Sequence, residues 1–298
     1  MKKNEGEDAM IARVRRLLPH PSRAVHAGIG DDCAAVPGPR RGMLALLKTD
    51  CVVEGRHFLP SHAASDVGWK AACRAVSDIA ACGGEPRFAL VTCVLPRART
   101  GRWLEDLYRG LGRAARRYGF EVVGGEMART DGPAVINVAM TGEVPRRQFV
   151  PRGGGRPGDI LYVTGLLGGS LSSGWHLRFT PRVAEARWLA QHFRPRAMMD
   201  LSDGLASDLP RLAAESGTGF AVDPGLLPRR RGASVRQAVS DGEDFELLFA
   251  IAPSRAAKLE AGWKKRFPRV RLTRIGTLAA RGTEEGLGRL RGFDHFAR

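Results

Sequence analysis

The sequence predicts a mixed α/β fold, of the α+β type, built as a two-domain subunit. The chain has 298 residues, and domains usually contain about 150 residues, so length alone favours two domains. Hydrophobic residues make up 43% of the chain and charged residues 26%, which is an ordinary globular composition. Strand-like and helix-like patterns occur in both halves, separated by a proline- and glycine-rich segment at Pro145–Gly158. We therefore predict domains over residues 1–145 and 146–298.

The first half alternates between helical and strand-like patterns. In residues 7–18, Met10, Ile11 and Val14 recur at the spacing of one helical stripe. Short apolar runs bounded by turn residues, such as Met43–Leu47, indicate buried strands. The predicted helices span residues 7–18, 66–82 and 102–118, and the predicted strands span 43–47, 88–95, 120–123 and 134–141.

The second half also alternates between strand-like and helical patterns. A predicted strand at Ile160–Thr164 leads into a glycine-rich turn at Gly165–Gly174. Further strands are predicted at 197–200 and 245–251, and helices at 182–192, 204–216 and 254–267. Mixed elements in both halves favour two domains that each contain a sheet and helices.

The chain is strongly basic, with 47 Lys and Arg against 31 Asp and Glu and a formal net charge of +16. Clusters such as Arg229–Arg231 and Lys264–Arg266 are compatible with attraction to nucleic acid. No aromatic residues interleave these clusters as a stacking platform requires, so we interpret them as solvated faces and expect no specific nucleic-acid partner.

We expect a cytoplasmic protein with no membrane partner. The longest apolar stretches are far shorter than the ~18 residues that span a bilayer. The first ten residues are charged and lack the apolar core of a signal peptide. The five cysteines lie in the first third of the chain without metal-ligand spacing, so we expect reduced and mostly buried thiols.

Acidic residues gather at the ends of apolar elements in this basic chain. Each one alone also has a structural explanation; Asp203, for example, could cap the following helix. Ligand sites in α/β proteins form at strand ends, and carboxylates without His or Cys partners suit Mg²⁺ held beside phosphate groups. The pattern therefore favours phosphoryl chemistry at Asp31, Asp32, Asp50, Asp78, Glu126, Asp200, Asp203, Asp241, Glu243 and Asp244.

Candidate phosphate contacts are less specific. The glycine-rich turns at Gly153–Gly155 and Gly165–Gly169 could present N–H groups to phosphate, although a plain linker explains the first equally well. Arg129 and Arg152 are available cations. The P-loop, protein-kinase and GxGxxG signatures are absent, so ATP binding here needs another architecture. No nucleophile elbow surrounds Ser202, and we predict no catalytic nucleophile.

Nine segments, in order along the chain, together resemble the motifs of the thiamine-monophosphate kinase family. The resemblance runs from about residue 8 to the end of the sequence. The segments are GIGDDCA (28–34), KTDCVVEGRHF (48–58), AVSDIAACGGEP (75–86), VGGEMART (123–130), PRGGGRPGD (151–159), VTGLLGGS (163–170), MMDLSDGLASDL (198–209), SDGEDFELLF (240–249) and GFDHF (292–296).

The resemblance implies a fold and a reaction. It places the chain in the aminoimidazole-ribonucleotide synthetase-like superfamily, whose N-terminal domains form a shared β-barrel in a homodimer beside a C-terminal α/β domain. The implied reaction is direct transfer of the γ-phosphoryl group from ATP to thiamine monophosphate, giving thiamine diphosphate, with several Mg²⁺ ions. Such transfer depends on positioning and charge neutralisation, so no catalytic side chain is implied.

The matching motifs also imply roles for individual residues. The implied Mg²⁺ ligands are Asp32, Thr49, Asp50, Asp78, Glu126, Asp200 and Asp203. The implied ATP contacts are Gly125, Glu126, Arg152 and Ser202. The implied contacts to thiamine monophosphate are His57, Glu243 and Phe293. Phe293 has two alternative roles: stacking on the thiamine ring, or packing into the core as a C-terminal aromatic residue.

The sequence departs from the family pattern in three places. Glu126 stands where the family usually has Asp, and Lys48 stands where a small hydroxyl residue often precedes the Thr-Asp pair. The stretch between Gly169 and Pro181 is shorter than in many members. Two alternatives therefore stay open: a superfamily relative that uses ATP to activate a different oxygen acceptor, and a basic nucleic-acid-binding protein.

Overall fold

Two β-sheets organise the chain in the computed structural model, which describes residues 6–288 and 290–293. The strands are β1 (Ala34–Pro37), β2 (Met43–Val53), β3 (Glu85–Leu95), β4 (Glu121–Arg129), β5 (Val135–Pro145), β6 (Ile160–Thr164), β7 (Ala197–Asp200), β8 (Gly219–Val222), β9 (Leu247–Ile251), β10 (Leu272–Ala279) and β11 (Glu284–Glu285). The first sheet has the order β1-β2-β5-β3-β4, and the second has the order β11-β8-β10-β6-β9-β7.

Helices connect and cover these strands. The α-helices are α1 (Glu7–Arg15), α2 (Ala64–Ala81), α3 (Arg102–Tyr118), α4 (Trp175–Arg178), α5 (Val183–His192), α6 (Leu205–Glu215), α7 (Val235–Ser240) and α8 (Pro253–Arg266). Short 3₁₀ turns lie at 97–99, 146–148 and 224–226.

Helix α2 is the central element of the first half. Fifteen of its residues are buried, because β2 and β5 cover one side of it and α3 covers another. Glycines allow α2 and α3 to approach closely: a Cβ added at Gly68 would lie 2.0 Å from the Leu107 carbonyl oxygen, and one at Gly110 would lie 1.9 Å from that of Ser65. A larger residue at either contact would push the helices apart.

The first sheet presents two different faces. Lys48 and Asp50 on β2 point toward α2, where each pairs with a side chain of that helix. Because successive side chains of a strand alternate, Leu47 and Thr49 face the other way, and both are exposed. The register pairs Leu47 with Thr141 and Thr141 with Phe88, so this outer face continues across the sheet.

The second sheet is mostly antiparallel. Strands β6, β7 and β9 are buried along their whole length, as the uninterrupted apolar runs in the sequence predicted. The prediction of a mixed α/β fold is confirmed. Sequence patterns missed β1, β8, β10, β11, α4 and α7; all except β10 are six residues or shorter.

Two further sequence expectations concern thiols and membrane spans. All five cysteines lie in the described part of the chain and none forms a disulfide; four are buried and Cys51 is half-buried. Within residues 6–288 and 290–293, no helix combines the length and the apolar character needed to cross a membrane.

Candidate functional site

Three buried aspartates from distant parts of the chain form one cluster. Asp32 lies just before β1, Asp78 is on α2, and Asp200 ends β7. One carboxylate oxygen from each lies within 4.8 Å of the others. The folding of the two sheets around α2 brings these oxygens together.

The surroundings of the cluster neutralise its negative charge only in part. Burial, followed by the charge of Asp32, raises the pKa of Asp200 to about 7. Burial also raises the pKa of Asp78 well above its usual value, although the Lys48 ammonium opposes this. Among the described residues, the buried Asp32 Oδ2 has no hydrogen-bond partner. An oxygen-only donor set with an unsatisfied buried oxygen fits a hard cation such as Mg²⁺.

Two side-chain cations contact the cluster. Arg152 Nη2 donates to Asp32 Oδ1 at 2.5 Å, and Lys48 Nζ lies 2.7 Å from Asp78 Oδ1. Asp200 instead accepts a hydrogen bond of 2.5 Å from the Ser77 hydroxyl, which carries no charge. Two of the three carboxylates therefore have a cationic partner, and Asp200 has a neutral one.

Asp31 is the neighbour of the cluster on the Arg152 side. It accepts hydrogen bonds from the backbone N–H of Asp32 at 2.9 Å and of Arg152 at 3.3 Å. Burial and then the charge of Asp32 raise its pKa to about 6. These contacts fix the turn that carries Asp32 against the segment that carries Arg152.

A second group of predicted residues lines one cleft beside this cluster. All three implied thiamine-monophosphate contacts are in its wall, together with Ser202 and Asp203. The cleft is lined by Arg56, His57, Arg74, Leu171, Ser202, Asp203, Gly242, Glu243 and Phe293. Phe293 is 47% exposed, so it is not packed into the core, and its backbone N–H donates to the Asp203 carbonyl at 2.8 Å. Residues 294–296 of the last sequence motif lie outside the described residues.

A charge network connects the cleft to the first sheet. Arg74 on α2 contacts Asp50 at 3.0 Å and Glu243 at 3.4 Å. Burial opposes ionisation of Asp50, yet Arg74 and Lys48 outweigh it and hold the pKa of that carboxyl below its usual value. Arg74 therefore joins a predicted metal ligand to a predicted substrate contact.

Lys70 is the second side-chain cation that pairs with Glu243. Its fully buried Nζ lies 2.6 Å from Glu243 Oε1 and donates to the His57 carbonyl at 2.6 Å. Burial lowers the pKa of Lys70 to about 8, although Glu243 opposes this. The His57 ring accepts a hydrogen bond from the Val53 N–H at Nδ1, so the neutral ring carries its proton on Nε2.

The loop that carries Glu243 has a strained backbone. Glu243 has φ 64° and Phe245 has φ 51°, which are rare for residues other than glycine. Hydrogen bonds from their N–H groups to the carbonyls of Ser202 and Leu201 hold this conformation. Strain of this kind, about 1–3 kcal/mol per residue, is typical of functional sites.

Three of the predicted residues lie away from the cluster. Thr49 is exposed and donates to Asn137 on the outer face of the first sheet. Glu126 on β4 is exposed, on the same face, and is three strand spacings of about 4.8 Å from β2. A Cβ at Gly125 would lie 1.9 Å from the Val91 carbonyl oxygen, so the close approach of β3 by itself accounts for that glycine.

Asp203 does not cap α6. Gly204 occupies the N-cap position, and the Asp203 carboxylate pairs with Arg211. The backbone N–H of Asp203 donates to Asp208 at 3.0 Å. The Asp203 side chain lies in the wall of the cleft rather than in the three-carboxylate cluster.

In the second glycine-rich turn, Gly165–Gly169, two backbone N–H groups donate hydrogen bonds to carboxylates of this chain. The Gly168 N–H donates to Asp244 at 3.0 Å, and the Gly169 N–H donates to Asp241 at 2.8 Å. Asp241 and Asp244 therefore hold the turn against the loop that contains Glu243.

Lys70 and Arg74 are site residues that sequence reasoning missed. A signal was available, because Lys70, Arg74 and Asp78 recur every four residues on a helix whose other residues are mostly apolar. Such spacing places the three polar side chains on one helical stripe. A polar stripe on an otherwise buried helix indicates a site rather than a solvated face.

Comparison with known families adds an independent finding. The family described as AIR synthase related protein, N-terminal domain, matches residues 30–144. Apart from the last residue of β5, this range contains the whole first sheet together with α2 and α3.

Named relatives match nearly the whole chain. The thiamine-monophosphate kinase of Rhodopirellula baltica is 36% identical over 92% of this chain and 90% of its own length. That of Salmonella typhimurium is 33% identical over 98% of each. A solved structure described as AaThiL complexed with AMPPCP and TMP is 32% identical, covers 98% of this chain and 97% of its own, and has a TM-score of 0.83.

Proposed function

The chain belongs to the thiamine-monophosphate kinase family, and from its site we propose that it transfers the γ-phosphoryl group of ATP to thiamine monophosphate. The observation that carries this proposal is the buried cluster of Asp32, Asp78 and Asp200 beside the cleft lined by His57, Glu243 and Phe293. The carboxylate cluster suits a polyphosphate with its metal ion, and the cleft suits a small organic substrate. The named relatives and the solved complex with AMPPCP and TMP support the same assignment.

In this proposal, an oxygen of the thiamine monophosphate phosphate attacks the γ-phosphorus of ATP. The bond between that phosphorus and the oxygen bridging to ADP breaks, giving thiamine diphosphate and ADP. The attacking oxygen is already ionised, so no side chain has to remove a proton. The contribution of the protein is therefore positioning and charge neutralisation.

The cluster would hold Mg²⁺ through Asp32, Asp78 and Asp200. We propose Asp50, which pairs with Arg74, and Asp203, in the cleft wall, as further ligands. Bound Mg²⁺ neutralises phosphate charge at the reacting centre. Arg152 holds Asp32 in place, and we propose that it also contacts the nucleotide. Ser202, in the cleft wall, is the second proposed nucleotide contact.

We propose that the cleft binds thiamine monophosphate through three residues. His57 presents its ring to the substrate while its Nδ1 accepts the Val53 N–H, and Phe293 presents a half-exposed ring to the thiamine ring. Lys70 and Arg74 both pair with the Glu243 carboxylate, which fixes its orientation in the cleft wall.

We further propose a homodimer in which the first sheets pack together as a β-barrel. Support comes from the outer face of the first sheet, where Leu47, Phe88 and Leu90 are each about half exposed. Thr49, Gly125 and Glu126 would then contribute to the ATP and metal site only when a second copy covers this side of the chain. The Leu90→Glu substitution should shift the chain to a monomer in light scattering, whereas the same change at the exposed Leu226 should not.

We propose the segment Pro145–Gly158 as the boundary between the two domains. The first sheet ends with β5 at Pro145 and the second begins with β6 at Ile160, which supports this division. We also propose a cytoplasmic location, which the five unpaired cysteines support because thiols stay reduced there.

The decisive experiment is incubation of the purified chain with MgATP and thiamine monophosphate, followed by chromatography for thiamine diphosphate and ADP in equal amounts. The Asp78→Asn variant should lose orders of magnitude in rate, because it removes a ligand charge while keeping the side-chain shape. The matched control Asp106→Asn, on the exposed side of α3, should leave the rate unchanged. ADP formation that needs a different acceptor would favour the superfamily relative that activates another oxygen.

A further inference from the structure

Lys48 brings a side-chain cation into direct contact with the carboxylate cluster. It lies on β2, and its Nζ is 2.7 Å from Asp78 Oδ1, while its side chain is 22% exposed. Strand alternation turns Lys48 and Asp50 toward α2, so the Lys48 side chain lies on the α2 side of the sheet and not on the outer face. The contact is therefore fixed by the register of the strand.

The ammonium competes with a metal ion for the same oxygen. Mg²⁺ binds oxygen at about 2.1 Å, so an ion on Asp78 Oδ1 would stand within about 5 Å of the ammonium. Two cations at this distance in a buried site repel strongly. The arrangement leaves Asp32 Oδ2 and Asp200 as the acceptors that still need a cation, because no side-chain cation of the described residues contacts them.

We propose that Lys48 serves as a resident cation at Asp78, so that this chain binds one divalent ion fewer at the cluster than it would with a hydroxyl residue at this position. This inference rests on the proposed use of Mg²⁺ at the cluster. The tethered charge stays in place at low Mg²⁺ concentration, whereas a bound ion would dissociate. Lys48 is in this sense a positioning residue, because it acts on the reaction through Asp78.

The test counts divalent ions on the intact chain with Mn²⁺ as the probe, by the electron paramagnetic resonance signal of free Mn²⁺. Lys48→Ser removes the ammonium and supplies an oxygen, so we expect one more Mn²⁺ per chain than in the wild type. Lys48→Arg keeps a cation and should retain the wild-type count. Arg40→Ser removes an exposed cation that pairs with Glu143 elsewhere on the first sheet, and should also retain it.

A second readout covers the case in which Lys48→Ser is too unstable to titrate. Without metal, Lys48→Met should have a lower melting temperature than the wild type, because Asp78 loses its counter-charge. Added Mg²⁺ should then raise the melting temperature of Lys48→Met by more than it raises that of the wild type. Equal Mg²⁺-induced shifts, or an extra ion in Lys48→Arg as well as in Lys48→Ser, would overturn the inference.

These measurements are separate from catalysis. If the chain made no thiamine diphosphate and the Mn²⁺ count still rose in Lys48→Ser, the proposed function would fail and the role of Lys48 would stand. If the chain made thiamine diphosphate and the count did not change, only the role of Lys48 would fail.

Discussion

Removing the charge of Asp200 should stabilise the metal-free protein at pH 8. Burial and the nearby Asp32 raise the pKa of Asp200 from 3.8 to about 7. Between these two pH values the folded chain binds more protons than the unfolded chain, so stability falls as the pH rises. At about 1.4 kcal/mol per pKa unit, the full penalty at pH 8 is up to about 4 kcal/mol.

The Asp200→Asn substitution removes this penalty and keeps an oxygen that can accept the Ser77 hydrogen bond. In EDTA at pH 8, the melting temperature should rise by roughly 4–8 °C, at about 2 °C per kcal/mol for a chain of this size. At pH 5 the gain should shrink by more than half, because wild-type Asp200 is then mostly protonated when folded. Catalytic activity should be lost at both pH values.

A buried aspartate with a cationic partner provides the control. Asp159 lies 2.6 Å from Arg196, so Asp159→Asn should lower the melting temperature at pH 8. The measurement is thermal unfolding in EDTA at the two pH values. An Asp200→Asn protein that is less stable than the wild type at pH 8, or that shows the same difference at pH 5, would refute the reasoning.

Three further predictions concern other residues of the site. Glu126→Gln should lose most activity at saturating Mg²⁺, whereas Glu126→Asp should keep much of it, because only the first removes the charge; near-normal rates for both would contradict a metal role. Phe293→Ala should raise the KM for thiamine monophosphate about tenfold, as expected for a lost stacking contact, and leave the KM for ATP unchanged; equal changes in both constants would argue against stacking. Burial lowers the pKa of Lys70 from 10.5 to about 8, so the folded chain binds fewer protons than the unfolded chain between these pH values and gains stability across them. The free energy of unfolding of Lys70→Met, measured with urea at pH 8 and pH 10, should lack this rise. A rise equal to that of the wild type would contradict a lowered pKa of Lys70 in the folded chain.

The long elements were predictable because their apolar residues repeat with one clear period. Helix α2 was predicted at 66–82 and lies at Ala64–Ala81, since its apolar residues follow helical spacing along their whole length. Strand β10 was missed because Arg274 and Gly276 interrupt its apolar residues, and the pairing register shifts between them. A bulge of this kind leaves no period for sequence analysis to detect.

The composition of the site was easier to predict than its geometry. Their positions at the ends of apolar elements predicted Asp32, Asp50 and Asp200 as site residues. Local spacing cannot predict which residues from distant parts of the chain lie close together. Strand alternation by itself separates Thr49 from Asp50, because neighbours on a strand face opposite sides. The surroundings of Glu243 depend on tertiary contacts with Lys70, which no local pattern in the loop encodes.

Helix α2 sets the distance between the cleft and the carboxylate cluster. Lys70 contacts Glu243 in the cleft wall and Asp78 belongs to the carboxylate cluster, and the eight helical steps from Lys70 to Asp78 span about 12 Å at 1.5 Å each. The close contact between Gly68 and α3 fixes the position of α2 along that neighbouring helix. Inserting or deleting one residue between Lys70 and Asp78 would change the span by about 1.5 Å and turn one end by about 100° relative to the other. Changes in the length of α2 should therefore be tolerated only outside this interval, because the separation of the cleft and the carboxylate cluster is set by the helical rise rather than by flexible loops.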